Sequence, residues 1–402
     1  MTLEAGFGAA DITPPPDCPL IGYTQRVDLH PPGNAGVADP LFVRVVLLRD
    51  RAAMAQPLVL VSFDLCILED PAVATLRADI GDLLGVRPAQ IILAATHTHS
   101  GPYPWQDAWA EGAREPVPDI LRGEASVAYW SALRAALQTA LQAAQADLRP
   151  ARLRPRRATL GFAYQRRVPT PKGIRMCWNP RESPELSPEP AVDDSLCLLQ
   201  IQRDSGDLLL FNLAGHPVTL GKASNVVSAD WPGAACRQIE AALPGARACF
   251  FHGAGADAHP WLATDKDPAD CAIVARPVAG LVELLARAGG RAEHGSPLAC
   301  AQTKLELKHG SIELTAWRVG QTRVLAVPGE LFGESGRQLR EACRDSGPLL
   351  LVTTANGWKG YLPPRSAFEN SAYETDAVSG FGVGCSDAEK LVESALDLLA
   401  TL

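Results

Sequence analysis

Short apolar runs, each halted near glycine or proline, alternate along this chain with longer stretches of helical spacing, and that alternation restricts the fold more than any other feature. Leu58 to Leu65 and Ile91 to Ala95 are too short for helices and read as buried strands, with the helical pattern Ala72 to Leu84 between them. Glu124 to Leu148, rich in Ala, Leu and Gln, is the strongest helix and is stopped by Pro150. From Ala151 to Leu213 the pattern is one of successive strands, interrupted by a long proline-rich loop from Pro169 to Pro190. Alternation resumes with Leu208 to Leu213, Ala234 to Leu243, Ala248 to His252, Val278 to Ala288, Thr322 to Val327, Leu331 to Cys343, Leu349 to Thr354 and Ala388 to Thr401. This mixed order predicts an α/β fold with a large mixed β-sheet core covered by helices. With 402 residues, 47% of them hydrophobic, and neither an internal repeat nor a low-complexity linker, residues 1–402 are expected to form a single domain.

Charge and cysteine usage exclude several classes. Lys and Arg number 37 against 45 acidic residues, a net charge of -8, which gives no electrostatic footing for general nucleic-acid binding. The one dense basic run, Arg149, Arg152, Arg154, Arg156 and Arg157, alternates like the outer face of a strand and reads as solvated. The 10 cysteines are scattered singly from Cys18 to Cys385 without a C-x-x-C pair, and Cys66, Cys197 and Cys249 lie within apolar runs, as buried reduced thiols do. Met1 to Ala10 lacks the basic and apolar stretches of a signal peptide. No segment has the roughly 18 uninterrupted apolar residues of a membrane span. The expectation is a cytoplasmic protein with no transmembrane segment.

Chemistry concentrates where the strands stop. Ile91 to Ala95 runs into Thr96-His97-Thr98-His99-Ser100-Gly101-Pro102, two imidazoles one residue apart at a Gly-Pro turn. If the backbone stays extended, their side chains share a side about 7 Å apart. Three further strands end in Gly215-His216-Pro217, in Pro328-Gly329-Glu330, and in Asn356 to Tyr361. Two imidazoles, a carboxylate and a phenolic oxygen from His97, His216, Glu330 and Tyr361 suit a borderline cation such as zinc. Each also has an ordinary explanation: a hydrogen-bonded loop histidine, an acid opening a helix at Glu330, a packed aromatic at Tyr361. Only joint placement favours the metal.

These residues resemble the neutral/alkaline non-lysosomal ceramidase family, zinc amidases that cleave N-acylated sphingoid bases. The resemblance runs through Ala5-Gly6-Phe7-Gly8-Ala9-Ala10-Asp11-Ile12-Thr13-Pro14, Ser62-Phe63-Asp64-Leu65, the Thr-His-Thr-His-Ser-Gly-Pro segment, Gly215 to Val218, Ser228 to Gly233, Pro328 to Glu330, and Asn356 to Glu374. It spans essentially the whole chain as the family's catalytic domain, without the C-terminal immunoglobulin-like domain that full-length ceramidases carry. The resemblance implies that His97, His216, Glu330 and Tyr361 are zinc ligands and that His99 lies beside the attacking water. It further implies that Tyr373 hydrogen-bonds the developing oxyanion and that Arg166, with Arg167 the alternative, lies on the substrate side. One departure stands out: family enzymes carry Gly-Asp-x-Ser-Pro where this chain reads Gly255-Ala256-Asp257-Ala258-His259-Pro260.

The reading that follows is a zinc-dependent hydrolase of a carboxamide, an N-acyl amine or ceramide-like lipid being the first substrate class, acting through an activated water. His99 would shuttle the proton and Tyr373 would share the oxyanion charge. An ester or lactone hydrolase with the same site, or a non-catalytic binding protein on this scaffold, are the alternatives. No G-x-S-x-G turn supports a serine hydrolase. Asp64 and Asp230 are candidates to orient ligand imidazoles, Asp230 being equally a helix cap. His252 and His259 read as structural loop residues, and His30, His294 and His309 as solvent-facing. Trp105, Trp109, Trp178 and Trp358 either pack or line a cleft.

Overall fold

The computed structural model describes residues 3–23, 33–52, 56–106, 119–182, 191–290, 292–293, 297–307, 310–377 and 383–402. His30, His294, His309 and Trp109 lie outside them. Strands β1 (Leu3–Asp11), β2 (Phe42–Asp50), β3 (Leu58–Phe63), β4 (Ile91–Ala95) and the short β5 (Arg149–Pro150) form one sheet in the order β4-β3-β2-β1-β5. Pairing is antiparallel except between β3 and β4, which the helix α1 (Asp70–Leu84) joins in parallel. Period-two alternation divides the sheet's side chains between two cores. Val43, Val45 and Leu47 of β2 pack with α1 and with α2 (Glu124–Ala146), while Val46 and Leu48 face a second layer of strands.

That second layer consists of two four-stranded mixed sheets. In one, β6 (Arg152–Thr159), β10 (Ser195–Gln202), β11 (Leu208–Leu213) and β12 (Arg247–His252) run in the order β12-β11-β10-β6. In the other, β14 (Leu298–Leu307), β15 (Gly310–Val319), β16 (Thr322–Ala326) and β18 (Leu349–Val352) run β14-β15-β16-β18. Asn212 ties them edge to edge, its amide donating to Phe251 O at 2.8 Å and to Leu351 O at 2.7 Å. Outer faces are covered by α3 (Asp230–Ala242) and α4 (Ala269–Arg287) on one sheet and by α5 (Gly333–Ala342) and α8 (Asp387–Ala400) on the other. The result is a helix-sheet-sheet-helix stack, the mixed α/β class the alternation predicts, with its sheet core shared among several mixed sheets.

Several local expectations shift. The hairpin β8 (Arg167–Thr170) and β9 (Gly173–Met176) opens the stretch expected to be loop from Pro169. Helix α4 begins at Ala269, well before the Val278 expected from the sequence, and runs through Pro277. Strands β1, β2, β14 and β15 have no counterpart in the sequence reading. In β1 the reason is tertiary: a Cβ on Gly6 or Gly8 would lie 2.1 Å from Ala144 O or 2.0 Å from Ala140 O, so α2 rests directly on a strand of otherwise poor β propensity. The arginine run is only partly solvated. Arg154 is buried, and it and Arg156 donate to Ala288 O and Gly289 O just beyond α4, where the helix dipole favours cations.

Candidate active site

Parallel pairing of β3 with β4, β11 with β12 and β16 with β18 aligns their C-terminal ends, and the loops leaving those ends meet between the two strand layers. Asn356 fastens the layers together. Its backbone amide donates to Leu93 O at 2.8 Å and its Oδ1 accepts from Leu93 N at 2.9 Å, so the segment after β18 pairs with β4 of the other sheet. Three residues here adopt left-handed backbone: His97 at φ 69°, Thr354 at 49° and Asn356 at 61°. For β-branched Thr354 that conformation is strained. It is held by Oγ1 donating to Ala95 O at 3.1 Å and its amide donating to Gly329 O at 3.0 Å.

The turn at His97 overturns the extended spacing expected for the Thr-His-Thr-His segment. Instead of standing about 7 Å apart, as on an extended strand, the two rings close on each other. His99 Nε2 lies 3.4 Å from His97 Nε2. His97 Nε2 is in turn 3.3 Å from His216 Nε2, and Glu330 Oε2 lies 3.3 Å from the first and 3.2 Å from the second. All three of these donor residues are buried, at 1–2% exposure, while His99 at 8% is the least enclosed.

Backbone carbonyls fix the imidazole tautomers. His97 Nδ1–H donates to Cys66 O at 2.8 Å and His216 Nδ1–H to Gly255 O at 2.6 Å, which leaves each Nε2 as the nitrogen facing the cluster. Neither Asp64 nor Asp230 has that role. Asp64 instead pairs with Arg44 at 2.7 Å and accepts from Phe42 N. Asp230 accepts from the amides of Thr219, Leu220 and Trp231, tying a loop to the start of α3, and burial pushes its carboxyl up to about 6. Glu330 is aimed by Trp358, whose indole Nε1–H donates to Oε1 at 3.0 Å, while Oε2 receives no hydrogen bond.

Three acceptor atoms converging without a donor repel one another unless positive charge lies between them. Without a metal a proton on His97 Nε2 meets that demand: burial opposes charge on His97, yet Glu330 and then Cys66 carry its pKa well above the ordinary imidazole value, so its lone pair is bare only where a cation displaces that proton. Burial, aided by the Arg166 cation, pushes His216 down to about 4. Glu330 is held well below the carboxylate range, its two histidine partners overcoming burial. A tetrahedral zinc site with bonds of about 2.0 Å has ligand-ligand edges of about 3.3 Å. The 3.2–3.3 Å triangle therefore fits a divalent cation of that size.

Tyr361 stands in register with Glu330 in the two-stranded parallel ladder of β17 (Glu330–Leu331) and β19 (Tyr361–Leu362), so both side chains leave on the same face. Burial raises its phenol pKa well above the usual value, Glu330 adding to the rise and Arg166 opposing it. Tyr373 opens the short helix α7 (Tyr373–Ala377), half exposed, with its ring 5.8 Å from that of Tyr361. The Arg166 guanidinium lies 5.6 Å from the Tyr361 ring centre, 5.8 Å from that of Tyr373 and 5.2 Å from that of Trp178. Arg167 turns away toward Glu374 and the carbonyls of Ala367 and Asn370.

Two neighbours that the sequence reads as structural loop residues stand against the site. His252 ends β12 with its ring 5.1 Å from that of His97 and 5.8 Å from that of His216, and its Nδ1–H donates to Thr353 Oγ1 at 3.0 Å. Its signal was present: an apolar run ending in His252-Gly253, as at the other site strands. His259 reaches Arg166 and is described below. Gly22, at φ 115°, backs His99 so closely that a Cβ would lie 2.6 Å from its ring. Of the tryptophans, Trp105 is buried, Trp178 is 38% exposed at the rim, and Trp358 touches Glu330.

Two solved structures share this architecture. A neutral ceramidase from Pseudomonas aeruginosa superposes with a TM-score of 0.80 at 16% identity, over 100% of this chain and 74% of that one. A ceramidase complexed with C2 gives 0.79 at 15% identity, over 100% and 75%. No sequence among curated proteins matches. The model of the neutral/alkaline non-lysosomal ceramidase N-terminal domain matches residues 3–260, and the chain therefore belongs to that family.

Proposed function

We propose that this protein is a zinc-dependent amidohydrolase acting on N-acyl amines, ceramide-like lipids among them. The observation that carries the reading is the buried triangle of His97 Nε2, His216 Nε2 and Glu330 Oε2 at 3.2–3.3 Å, with all three atoms turned inward. Those three, with Tyr361 beside Glu330, would hold the ion. When bound, zinc supplies Lewis acidity that makes water nucleophilic near neutral pH and polarises an amide carbonyl.

The chain's own groups do the rest. His99, the most accessible imidazole of the cluster, would take a proton from the attacking water at Nε2 and deliver it to the departing nitrogen, whose expulsion as an amide anion would be prohibitive. The Tyr373 hydroxyl donates to the oxygen that gains charge at the tetrahedral stage. Half-exposed Trp178 and Tyr373 form an aromatic rim beside the site. No helix among the described residues is long and apolar enough to cross a membrane. All 10 cysteines are unpaired, which supports a reducing setting such as the cytoplasm.

The test is zinc content measured beside hydrolysis of N-acyl substrates for the wild type, His97→Ala and His216→Ala. The expected result is about one zinc per wild-type chain, with metal and turnover lost together in both variants. Wild-type protein that hydrolyses amides while free of metal would refute the reading.

A further inference from the structure

Three charged side chains beside the triangle do not balance. Arg166, Arg167 and Glu374 are all buried, at 2%, 5% and 0% exposure, so two cations share one carboxylate. Glu374 Oε1 accepts from Arg166 Nε at 2.8 Å and Oε2 from Arg167 Nη1 at 2.6 Å. Arg167 is then satisfied by Ala367 O and Asn370 O at Nη2. Arg166 is not: Nη1 donates to His259 Nε2 at 2.9 Å, and Nη2 has no hydrogen-bond partner. His259 brings no counter-charge, because its Nδ1–H donates to Trp178 O and its Nε2 is the accepting lone pair. Asp257, the other buried acid of this region, is engaged by Gln165 Nε2 and the Gly333 amide. The Tyr361 hydroxyl also lies in hydrogen-bonding range of the guanidinium, leaving Nη2 as its unpartnered nitrogen, and the rings of Trp178, Tyr361 and Tyr373, two of them half exposed, complete its surroundings.

An unneutralised guanidinium with one free edge, under an aromatic rim, is a receptor for a monoanion. His259 stands between it and the metal triangle, its ring 5.5 Å from that of His216. One imidazole's width is about the span between a scissile carbonyl and a carboxylate two bonds beyond the amide nitrogen. Building on the amidase reading, we infer that the substrate is an N-acyl amino acid whose α-carboxylate pairs with Arg166 Nη2, with His259 as the positioning residue that turns that edge toward the site. A neutral head group would leave the buried cation unpaired.

The probes are N-hexanoyl-glycine and its neutral isostere N-hexanoyl-glycinamide, titrated calorimetrically into the full chain with and without zinc, and both assayed for hydrolysis by the zinc-loaded enzyme. The acid should bind about 10- to 100-fold more tightly than the amide with or without metal, the range for a charge-assisted hydrogen bond. That preference should vanish in Arg166→Gln and fall by part in Arg166→Lys, which keeps the charge and loses the fork. Equal binding of acid and amide by the wild type overturns the inference even if no variant folds, and so does a preference that survives in folded Arg166→Gln. Hydrolysis of the glycinamide with no preference for the acid would leave the amidase reading standing alone. Tight acid binding with neither compound hydrolysed would leave the anion site standing and the amidase reading refuted.

Discussion

Trp358 offers a sharp test of how the carboxylate ligand is aimed. Its indole donates to Glu330 Oε1 at 3.0 Å, and that single contact leaves Oε2 facing the two histidines. Trp358→Phe keeps an aromatic ring against the first core and removes the donor. A hydrogen bond to a buried carboxylate contributes about 1.5–3 kcal/mol, and loss of a group that orients a metal ligand lowers affinity about 10- to 100-fold. At 1.4 kcal/mol per tenfold, the two ranges agree. Zinc affinity measured by chelator competition should therefore fall by that factor. A control separates aiming from packing: Trp317 is buried, unlike the partly exposed Trp358, and its Nε1–H donates to Ala89 O at 2.7 Å, in the core between the strand layers. Trp317→Phe should lower the urea midpoint of the metal-free protein and leave zinc affinity alone. Affinity within twofold of wild type in Trp358→Phe would refute the claim that the indole holds Glu330 in its ligating pose.

Other changes separate chemistry from structure. His99→Gln should retain zinc while kcat drops about 100- to 10,000-fold, the usual worth of a positioned acid/base; loss of metal instead would make His99 a ligand. Tyr373→Phe, at a half-exposed ring, should leave the unfolding midpoint unchanged and lower kcat about 100- to 1,000-fold with little effect on KM. Gly8→Ala should destabilise the fold by about 3 kcal/mol, the upper end for overpacking, because the new methyl meets the backbone atoms Ala140 O and Ala144 N, at 2.0 and 2.7 Å, which no rotamer change can clear. Denaturant unfolding reads that cost directly, and a midpoint equal to wild type would mean β1 and α2 can separate freely.

How much of this was legible in the sequence depends on whether a signal was local. His97, His216 and Glu330 were visible because each follows an apolar run and sits at a Gly or Pro turn, a pattern set by strand ends themselves. Their convergence was not visible, since it needs two strand layers stacked with the C-terminal ends of β4, β11 and β16 at one place. The closeness of His97 and His99 was misjudged because a histidine at φ 69° leaves no trace in composition. Gly6 and Gly8 argued against a strand on propensity, although they are glycine because α2 presses on β1. Helix α4 starts at Ala269 rather than Val278, running through Pro277 where tertiary packing overrides a local rule. His252 carried the same strand-end signature as the others, but nothing in the sequence distinguished a residue packed behind the donors from a solvated one.

The strained backbone and the donor triangle are two sides of one arrangement. His97 in left-handed conformation brings its amide within 2.9 Å of Leu65 O and its Nδ1 within 2.8 Å of Cys66 O, so the loop after β3 holds both ends of the residue. Thr354 and Asn356, also left-handed, fasten the loop after β18 to Ala95 O and Leu93 O on the strand that delivers His97. Tyr361 follows on that same loop, and its ladder partner Glu330 is joined to the loop when Thr354 N donates to Gly329 O. Strain of this kind persists only where surrounding bonds over-determine it. Here those bonds cross between the two strand layers, so they fix where histidines of one layer stand relative to the carboxylate and phenol of the other. A relaxed, extended exit from β4 would return His97 and His99 to strand spacing and open the triangle, and for that reason the unfavourable φ values are part of the site.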